Sequence, residues 1–532
     1  MSCFRLFCVL VTAVFIAAAQ NPVISNVANA ASGILAPLPN AGIAQGSIFL
    51  ILGSNLGPAA VAIAPNAFQT ATLSGTSASI TVGGRTTNAL MYYTSATQVA
   101  VLLPSSTPVG TGTIALTYSG KTSAPFPITV VQNNLGIFTV SQNGSGPGIV
   151  TFADYSFVSV AKAANPGDVL ILWGTGLGPV SADDASGPQP GNMATLPLKL
   201  WLGGVSAPIA YQGRSGCCIG EDQIVFTVPN DVPAGCAVPL SVQIGNQISN
   251  SVVLPVATAG RTCTPVLTAF PAAVLSQLVN GGSASYGRVE LRRQPNSNAA
   301  GYNDNVNPAF VRFSFAAPFQ PFVTSFVDNQ PLGTCLVYNT LSPGSTPPVN
   351  VLSSVDIGTS LSVNGPNGIR TIDAASQLLS GTGNYLAPGD YTVSSSGGSD
   401  VPGFTASLNI PVSPLWTNEP SFGSQNSAPP VVRSTGATIT WSGGSPNAYL
   451  EIRISSATDN SFTNGATVVC TAAMNAGRFT IPPAALLALP SGPNGYMEFK
   501  PTTNPVIYKA TGLDIAFIQA DLDTLLLGVS LQ

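Results

Sequence analysis

Six cysteines carry most of the chemical potential of this sequence: Cys217, Cys218, Cys236, Cys263, Cys335 and Cys470. Two are neighbours, in the run Gly213-Arg-Ser-Gly-Cys-Cys-Ile-Gly-Glu-Asp222. Adjacent α-carbons lie ~3.8 Å apart, below the roughly 4.4–6.8 Å usual for a disulfide, so a bond between them is strained and can be redox-active. The alternatives are a loop staple with a purely structural role, or pairing elsewhere. The structural reading weighs more in an exported chain. Cys236 opens the penultimate strand of a repeated unit and Cys263 follows its last strand, so an antiparallel hairpin brings them together. Cys335 and Cys470 then pair by elimination, clamping a third domain to a fourth. With Cys3 and Cys8 expected to leave with an N-terminal signal, counting alone leaves fifteen connectivities open among the other six. No Cys-x-x-Cys spacing accompanies these residues, and no metal site is expected.

The sequence contains no histidine. That removes Ser-His-Asp and Cys-His nucleophilic mechanisms and His-ligated zinc. Paired carboxylates still permit glycoside hydrolysis. The acidic clusters are Asp183-Asp184, Glu221-Asp222 and Asp521/Asp523. The first lies in a Ser/Gly/Pro-rich loop and reads as solvated. The second precedes a strand and reads as a turn cap. The third alternates with Leu522 and reads as the outward face of a strand. Gly174-Thr-Gly-Leu-Gly178 lacks the Lys-Ser/Thr and the helix of a phosphate loop. No catalytic residue, cofactor or metal is assigned, and the chain is read as a non-enzyme.

These residues sit on a duplicated framework. Gly46-Ser-Ile-Phe-Leu-Ile-Leu-Gly-Ser-Asn-Leu-Gly-Pro58 returns as Gly167-Asp-Val-Leu-Ile-Leu-Trp-Gly-Thr-Gly-Leu-Gly-Pro179. Ile80-Thr-Val-Gly-Gly-Arg85 returns as Leu200-Trp-Leu-Gly-Gly-Val205, and Gln98–Pro104 as Gln223–Pro229. Repeats of this kind are architectural. Short strands with turn signals between them predict an all-β protein of tandem immunoglobulin-like β-sandwich domains. The boundaries read as 20–131, 132–263, 264–412 and 413–532. The last is an immunoglobulin- or fibronectin-like unit with Trp441 in its core. The second copy carries an insertion within Tyr211–Asp222. Tyr211, Arg214, Cys217, Cys218, Glu221 and Asp222 are therefore the candidate recognition loop.

The residues Gly167–Pro179, Gly213–Pro229 and Val232-Pro-Ala-Gly-Cys236 resemble IPT/TIG-type immunoglobulin-like repeats of uncharacterised acidobacterial secreted proteins. The resemblance covers roughly 21–263. It implies an immunoglobulin-like fold and an extracellular location, and it brings no catalytic residues with it.

Charged residues are 7% of the chain, against about 25% in ordinary proteins. There is no basic run, so nucleic acid is not an expected partner. Arg5, the apolar Leu6–Ile16 and Ala17-Ala18-Ala19 form a signal peptide over 1–19, with no integral membrane span expected after its cleavage. The chain reads as secreted, extracellular or cell-surface, with an extracellular glycan or surface protein as partner. Its expected function is non-catalytic: adhesion, surface scaffolding or glycan recognition. The alternatives are a carboxylate-dependent glycoside hydrolase or its accessory module, and a subunit of an extracellular assembly. Secretion of the full chain from a bacterial host should yield a product starting at Gln20 by N-terminal sequencing; a product retaining Met1 contradicts the signal.

Overall fold

A computed structural model describes residues 20–265, 270–295, 302–317, 322, 330–341, 349–373, 379, 385–422, 430–521 and 523–532. Residues 1–19, the expected signal peptide, lie outside them. Gly-Gly turns fix local structure early. Val82 pairs with Arg85, and Leu202 with Val205, across two-residue hairpins. Gly83, Gly84, Gly203 and Gly204 all have positive φ, the backbone that lets such a turn follow strand twist.

The duplicated sequence folds into duplicated sandwiches. In the first unit, Ile48–Ser54 pairs with Val23–Asn29 and Gln98–Leu102. In the second, Val169–Thr175 holds the same place, between Val150–Phe152 and Asp222–Thr227. The facing sheet of the first unit centres on Gly110–Tyr118, paired with Thr76–Val82 and Phe126–Val131. Gly235–Ile244, paired with Leu198–Leu202 and Val252–Val256, repeats that arrangement. Strict alternation along Thr76–Val82 buries one side of the strand. Phe49, Ile51, Ile80 and Leu116 fill one core, and Leu172, Phe226, Leu200 and Leu254 the other. Each such side chain contributes about 1.5–3 kcal/mol on burial.

The second half is built differently. One long sheet runs, strand by strand, through Cys335–Tyr338, Gly465–Ala473, Ala448–Ala457, Gly492–Thr503, Ile515–Asp521, Ser283–Pro295, Tyr302–Phe315 and Val349–Ser354. The boundary expected at 412/413 therefore does not separate two sheets. Ser283–Pro295 lies parallel to Ile515–Asp521, with Tyr286 opposite Ile515 and Arg292 opposite Asp521. Two smaller sheets cap its two halves. The four-stranded one, which includes Ser360–Gly365, Gly389–Ser395 and Phe404–Ile410, packs Leu361, Val393 and Leu408 against Val289, Leu291 and Ile518. The three-stranded one, which includes Ala437–Ser442, packs Ile439 and Trp441 against Ile452, Val468 and Phe499. The 412/413 position divides the caps but not the sheet beneath. Pairing between strands this distant leaves no local mark, since alternation shows that a strand exists and not which strand it joins.

The short helix Ala272–Val279 is preceded by Pro271 at its N-cap position. Leu275 and Leu278 pack with Phe313, Phe517 and the Cys236–Cys263 pair, filling the joint between the second unit and the long sheet. Among the described residues no helix is long and apolar enough to cross a membrane. A fragment of residues 20–263 should fold and melt cooperatively. A fragment of 20–412 lacks Ile515–Asp521, the strand on one side of Ser283–Pro295, and should be trimmed by protease back to about residue 263, with strong binding of a hydrophobic dye. A protease-resistant 20–412 contradicts the shared sheet.

Candidate functional site

The expected recognition loop joins two antiparallel strands, Ile209–Arg214 and Asp222–Thr227, in which Arg214 and Asp222 stand directly opposite each other. Both point inward. Arg214 Nη1 lies 2.5 Å from Asp222 Oδ1, and the two side chains are 3% and 1% exposed. The other Asp222 oxygen accepts from the Gly176 and Leu177 N–H groups, each at 2.7 Å. Arg214 Nη2 donates to the carbonyls of Gly178, at 2.6 Å, and Gly46, at 2.7 Å. One guanidinium thus ties the repeated phrase of the second unit to that of the first.

Further bonds close the same joint. The Ser105 N–H and hydroxyl donate to Asp184 at 2.7 and 2.8 Å. The Ile48 N–H donates to Thr175 Oγ1 at 2.9 Å. Asn134 Nδ2 donates to the carbonyls of Asn40 and Gly42 at 2.6 and 2.5 Å. Ile219 and Phe138 pack on Ile48, Phe68 and Leu102. Asp184, expected in solvent, is buried here, and only Asp183 fits that reading: it is exposed and accepts from the Ala185 N–H at 3.1 Å. The loop is divided in function. Arg214, Ile219 and Asp222 belong to the joint, which leaves Tyr211, Cys217, Cys218 and Glu221 for anything outside it.

Cys217 and Cys218 are bonded to each other, with α-carbons 3.8 Å apart. Cys217 is exposed, and Cys218 and Glu221 are half-buried. Burial, and next the adjacent Asp222 charge, push Glu221 above the usual carboxylate range. Tyr211 lies at the other end of the loop and donates to the Arg214 carbonyl at 2.6 Å. It lines an open cleft of about 360 Å³ with Asn192, Leu198, Lys199, Ser206 and Gln212. Among the described residues no carboxylate lines that cleft. Cys236 and Cys263 are bonded and buried in the joint behind the second unit. Cys335 and Cys470 are bonded as a cross-strand pair. That bond fastens the edge strand of the long sheet to its neighbour, within one sheet.

A cluster that the sequence reading missed lies on the long sheet. Arg288, Glu290 and Arg292 alternate along one strand, Glu451 and Arg453 along another, and Glu498 and Lys500 along a third. Period-2 spacing puts each set on one face, away from the apolar cores. Asp521 accepts from Thr502 Oγ1 at 2.9 Å and lies 3.0 Å from Lys500 Nζ and 3.7 Å from Arg292 Nε. Arg453 reaches Glu451 at 3.1 Å and Glu498 at 3.7 Å. Arg288 lies 3.7 Å from Glu290. The outward reading of Asp521 is therefore corrected: it is buried among cations. Asp523 lies beyond the strand and pairs with Arg293 at 3.2 Å. Burial, and next the Asp521 charge, push Glu290 above the usual carboxylate range, and burial does the same to Glu498. Raised carboxyls of this kind can serve as general acids. Here each is neutralised laterally by a neighbouring cation, so the arrangement is a charge ladder that holds strands in register. The signal for it was the i, i+2 alternation of opposite charges.

Removing the Arg214 side chain strands a buried carboxylate, so Arg214→Ala should cost about 3–5 kcal/mol in urea denaturation; a loss within measurement error contradicts the joint. A carboxyl raised in the folded state binds its proton more tightly there. Its stabilising contribution is present below the unfolded value and is lost as pH rises through the folded one. Glu290→Gln removes that loss, so the variant should gain in melting temperature relative to the parent as pH rises above the ordinary carboxylate range of about 4. A constant difference contradicts the assigned direction.

No protein-family model matches the chain, and no curated protein matches it. Among solved structures it is similar to the Bacteroides ovatus mixed-linkage glucan utilization locus protein SGBP-B in complex with a mixed-linkage heptasaccharide, at 11% identity, over 63% of this chain and 69% of that one, with a TM-score of 0.20. It is also similar to domains 5–6 of the S-layer protein SbsC, at 15% identity, over 45% and 100%, with a TM-score of 0.15. The titin immunoglobulin tandem A164–A165 matches at 9% identity over 41% and 92%, with a TM-score of 0.13. Likeness at this level carries no argument about function, and the all-β architecture rests on the sheets themselves.

Proposed function

We propose that this chain is an exported, non-catalytic recognition protein of the extracellular space or cell surface, and that it binds a saccharide in the cleft beside Tyr211. The cleft carries the reading. It offers a phenol ring, the Asn192 amide, a hydroxyl and the exposed Lys199 ammonium around one open space. Amides and hydroxyls suit a polyhydroxylated ligand, an aromatic ring suits the apolar face of a sugar, and a lone cation favours one bearing a carboxylate. The first two units are read as IPT/TIG-type repeats, on the strength of the shared phrases and the matching Gly-Gly hairpins. A non-enzymatic role is supported by the charge ladder, where the raised carboxyls are neutralised.

The mature protein should bind an acidic polysaccharide in calorimetry. Lys199→Ala and Tyr211→Ala should each weaken binding about tenfold or more, equivalent to about 1.4 kcal/mol. No binding across a panel of neutral and uronate-bearing polysaccharides overturns the reading. A second reading, a subunit of an extracellular assembly, is favoured by Val349–Ser354. This strand ends the long sheet, exposes Val351 and Leu352, and carries no Pro, Lys or acidic residue to block pairing. Concentration-dependent filaments of the purified chain, abolished by Val351→Lys, would separate it from the first.

A further inference from the structure

We propose that reduction of the Cys217–Cys218 bond opens a site for a thiophilic divalent ion, with Cys217 Sγ, Cys218 Sγ and the Glu221 carboxylate as its ligands. The proposal concerns the outer half of the loop and is independent of saccharide binding at the cleft.

The first argument is that this disulfide is not what holds the loop. A bond between sequence neighbours closes no chain segment, so it removes almost no freedom from the unfolded chain. The loop is held from below by other contacts. Arg214 and Asp222 close its base through a buried ion pair. The Ser215 N–H donates to the Glu221 carbonyl at 2.9 Å, and the Glu221 N–H to the Cys218 carbonyl at 3.4 Å. Ile219, between the cysteines and Glu221, is anchored in the apolar cluster of the first unit. The three side chains therefore stay together when the sulfur–sulfur bond is broken.

The second argument is geometric. One ligand atom from each of Cys217, Cys218 and Glu221 lies within 4.8 Å of the others. Metal–sulfur bonds of ~2.3 Å and metal–oxygen bonds of ~2.0–2.2 Å place two ligands of one ion at most about 4.6 Å apart, so small side-chain rotations suffice. Ser215 Oγ sits 3.0 Å from Cys217 Sγ, where its hydroxyl can donate to a thiolate. Two thiolates and one carboxylate suit Zn²⁺ or Cd²⁺ and leave a fourth position for water.

The third argument is access. Cys217 is exposed, whereas Cys236, Cys263 and Cys470 are buried. A small thiol therefore meets this bond first. Two equivalents of an external thiol, R–SH, reduce it by exchange, giving two cysteine thiols and one R–S–S–R. Metal binding then releases the two thiol protons, so affinity rises with pH.

The test uses the chain from residue 20 to 532. Brief treatment with dithiothreitol, removal of the reductant under argon and thiol counting by mass tagging should show two free thiols, at Cys217 and Cys218. Cd²⁺ added to this material should give a thiolate-to-metal ultraviolet band that saturates at one ion per chain, and untreated protein should give none. The melting temperature after reduction should match that of the oxidised protein. The double variant Cys217→Ser/Cys218→Ser should give no band, and Glu221→Gln should weaken binding about tenfold or more. The proposal is overturned if the reduced protein gives no band, if the double variant binds equally, or if reduction abolishes the melting transition.

Discussion

The first half of the molecule depends on one buried guanidinium. Taking Arg214 and Asp222 out of water costs several kcal/mol per ion, and their mutual attraction alone does not guarantee a gain. The remaining donors and acceptors decide the outcome. Asp222 accepts two backbone N–H groups in addition to Arg214, and Arg214 donates to two carbonyls, one from each unit. The pair is thus satisfied only when both repeats are folded and docked. That requirement explains the glycine at the head of the repeated phrase. Gly46 has a positive φ, and a Cβ there would run into the Arg214 side chain and Ser105 Oγ. The phrase is repeated because it builds a strand, and in the first copy the carbonyl of its opening glycine is also a ligand for the neighbouring domain.

The same economy recurs in the second half. A chain with so few charges places eight of them, from Arg288 to Asp521, on one face of one sheet. Several are partly buried and set against opposite charges on neighbouring strands. These pairs contribute little individually where they are exposed. Their value lies in register, since a slip of one residue moves every charge to the apolar side. With charge so sparse, and part of it drawn into joints and ladders, the surface suits hydrogen-bonded recognition more than ionic attraction.

Much of this was legible beforehand, and the exceptions have physical causes. Strand existence, the Gly-Gly hairpins and the core position of Trp441 are set by neighbours in sequence. The burial of Asp184 and Asp521 was not, because each is stabilised by partners far along the chain: Ser105 for one, Lys500 and Arg292 for the other. A carboxylate in a Ser/Gly/Pro-rich loop reads as solvated until its distant donors are known. The loop from Tyr211 to Asp222 was singled out as the point where the two copies differ. The difference is used in part for attachment to the first unit. The charge ladder was written plainly in alternating residues and was overlooked because clustered carboxylates were sought, not opposite charges alternating along a strand.

The parallel pairing of Ser283–Pro295 with Ile515–Asp521 has a consequence in time. Each of the first two sandwiches holds all its strands within its own stretch of chain, so each can complete itself while later residues are still being made. The long sheet cannot. Its middle strand must wait, one edge open, until more than two hundred further residues arrive. Non-local pairing of this sort folds slowly and leaves apolar strands exposed meanwhile. In a chain with little charge to keep copies apart, that interval is the most hazardous part of its biogenesis, and the two finished domains upstream are what hold the waiting strand in soluble company.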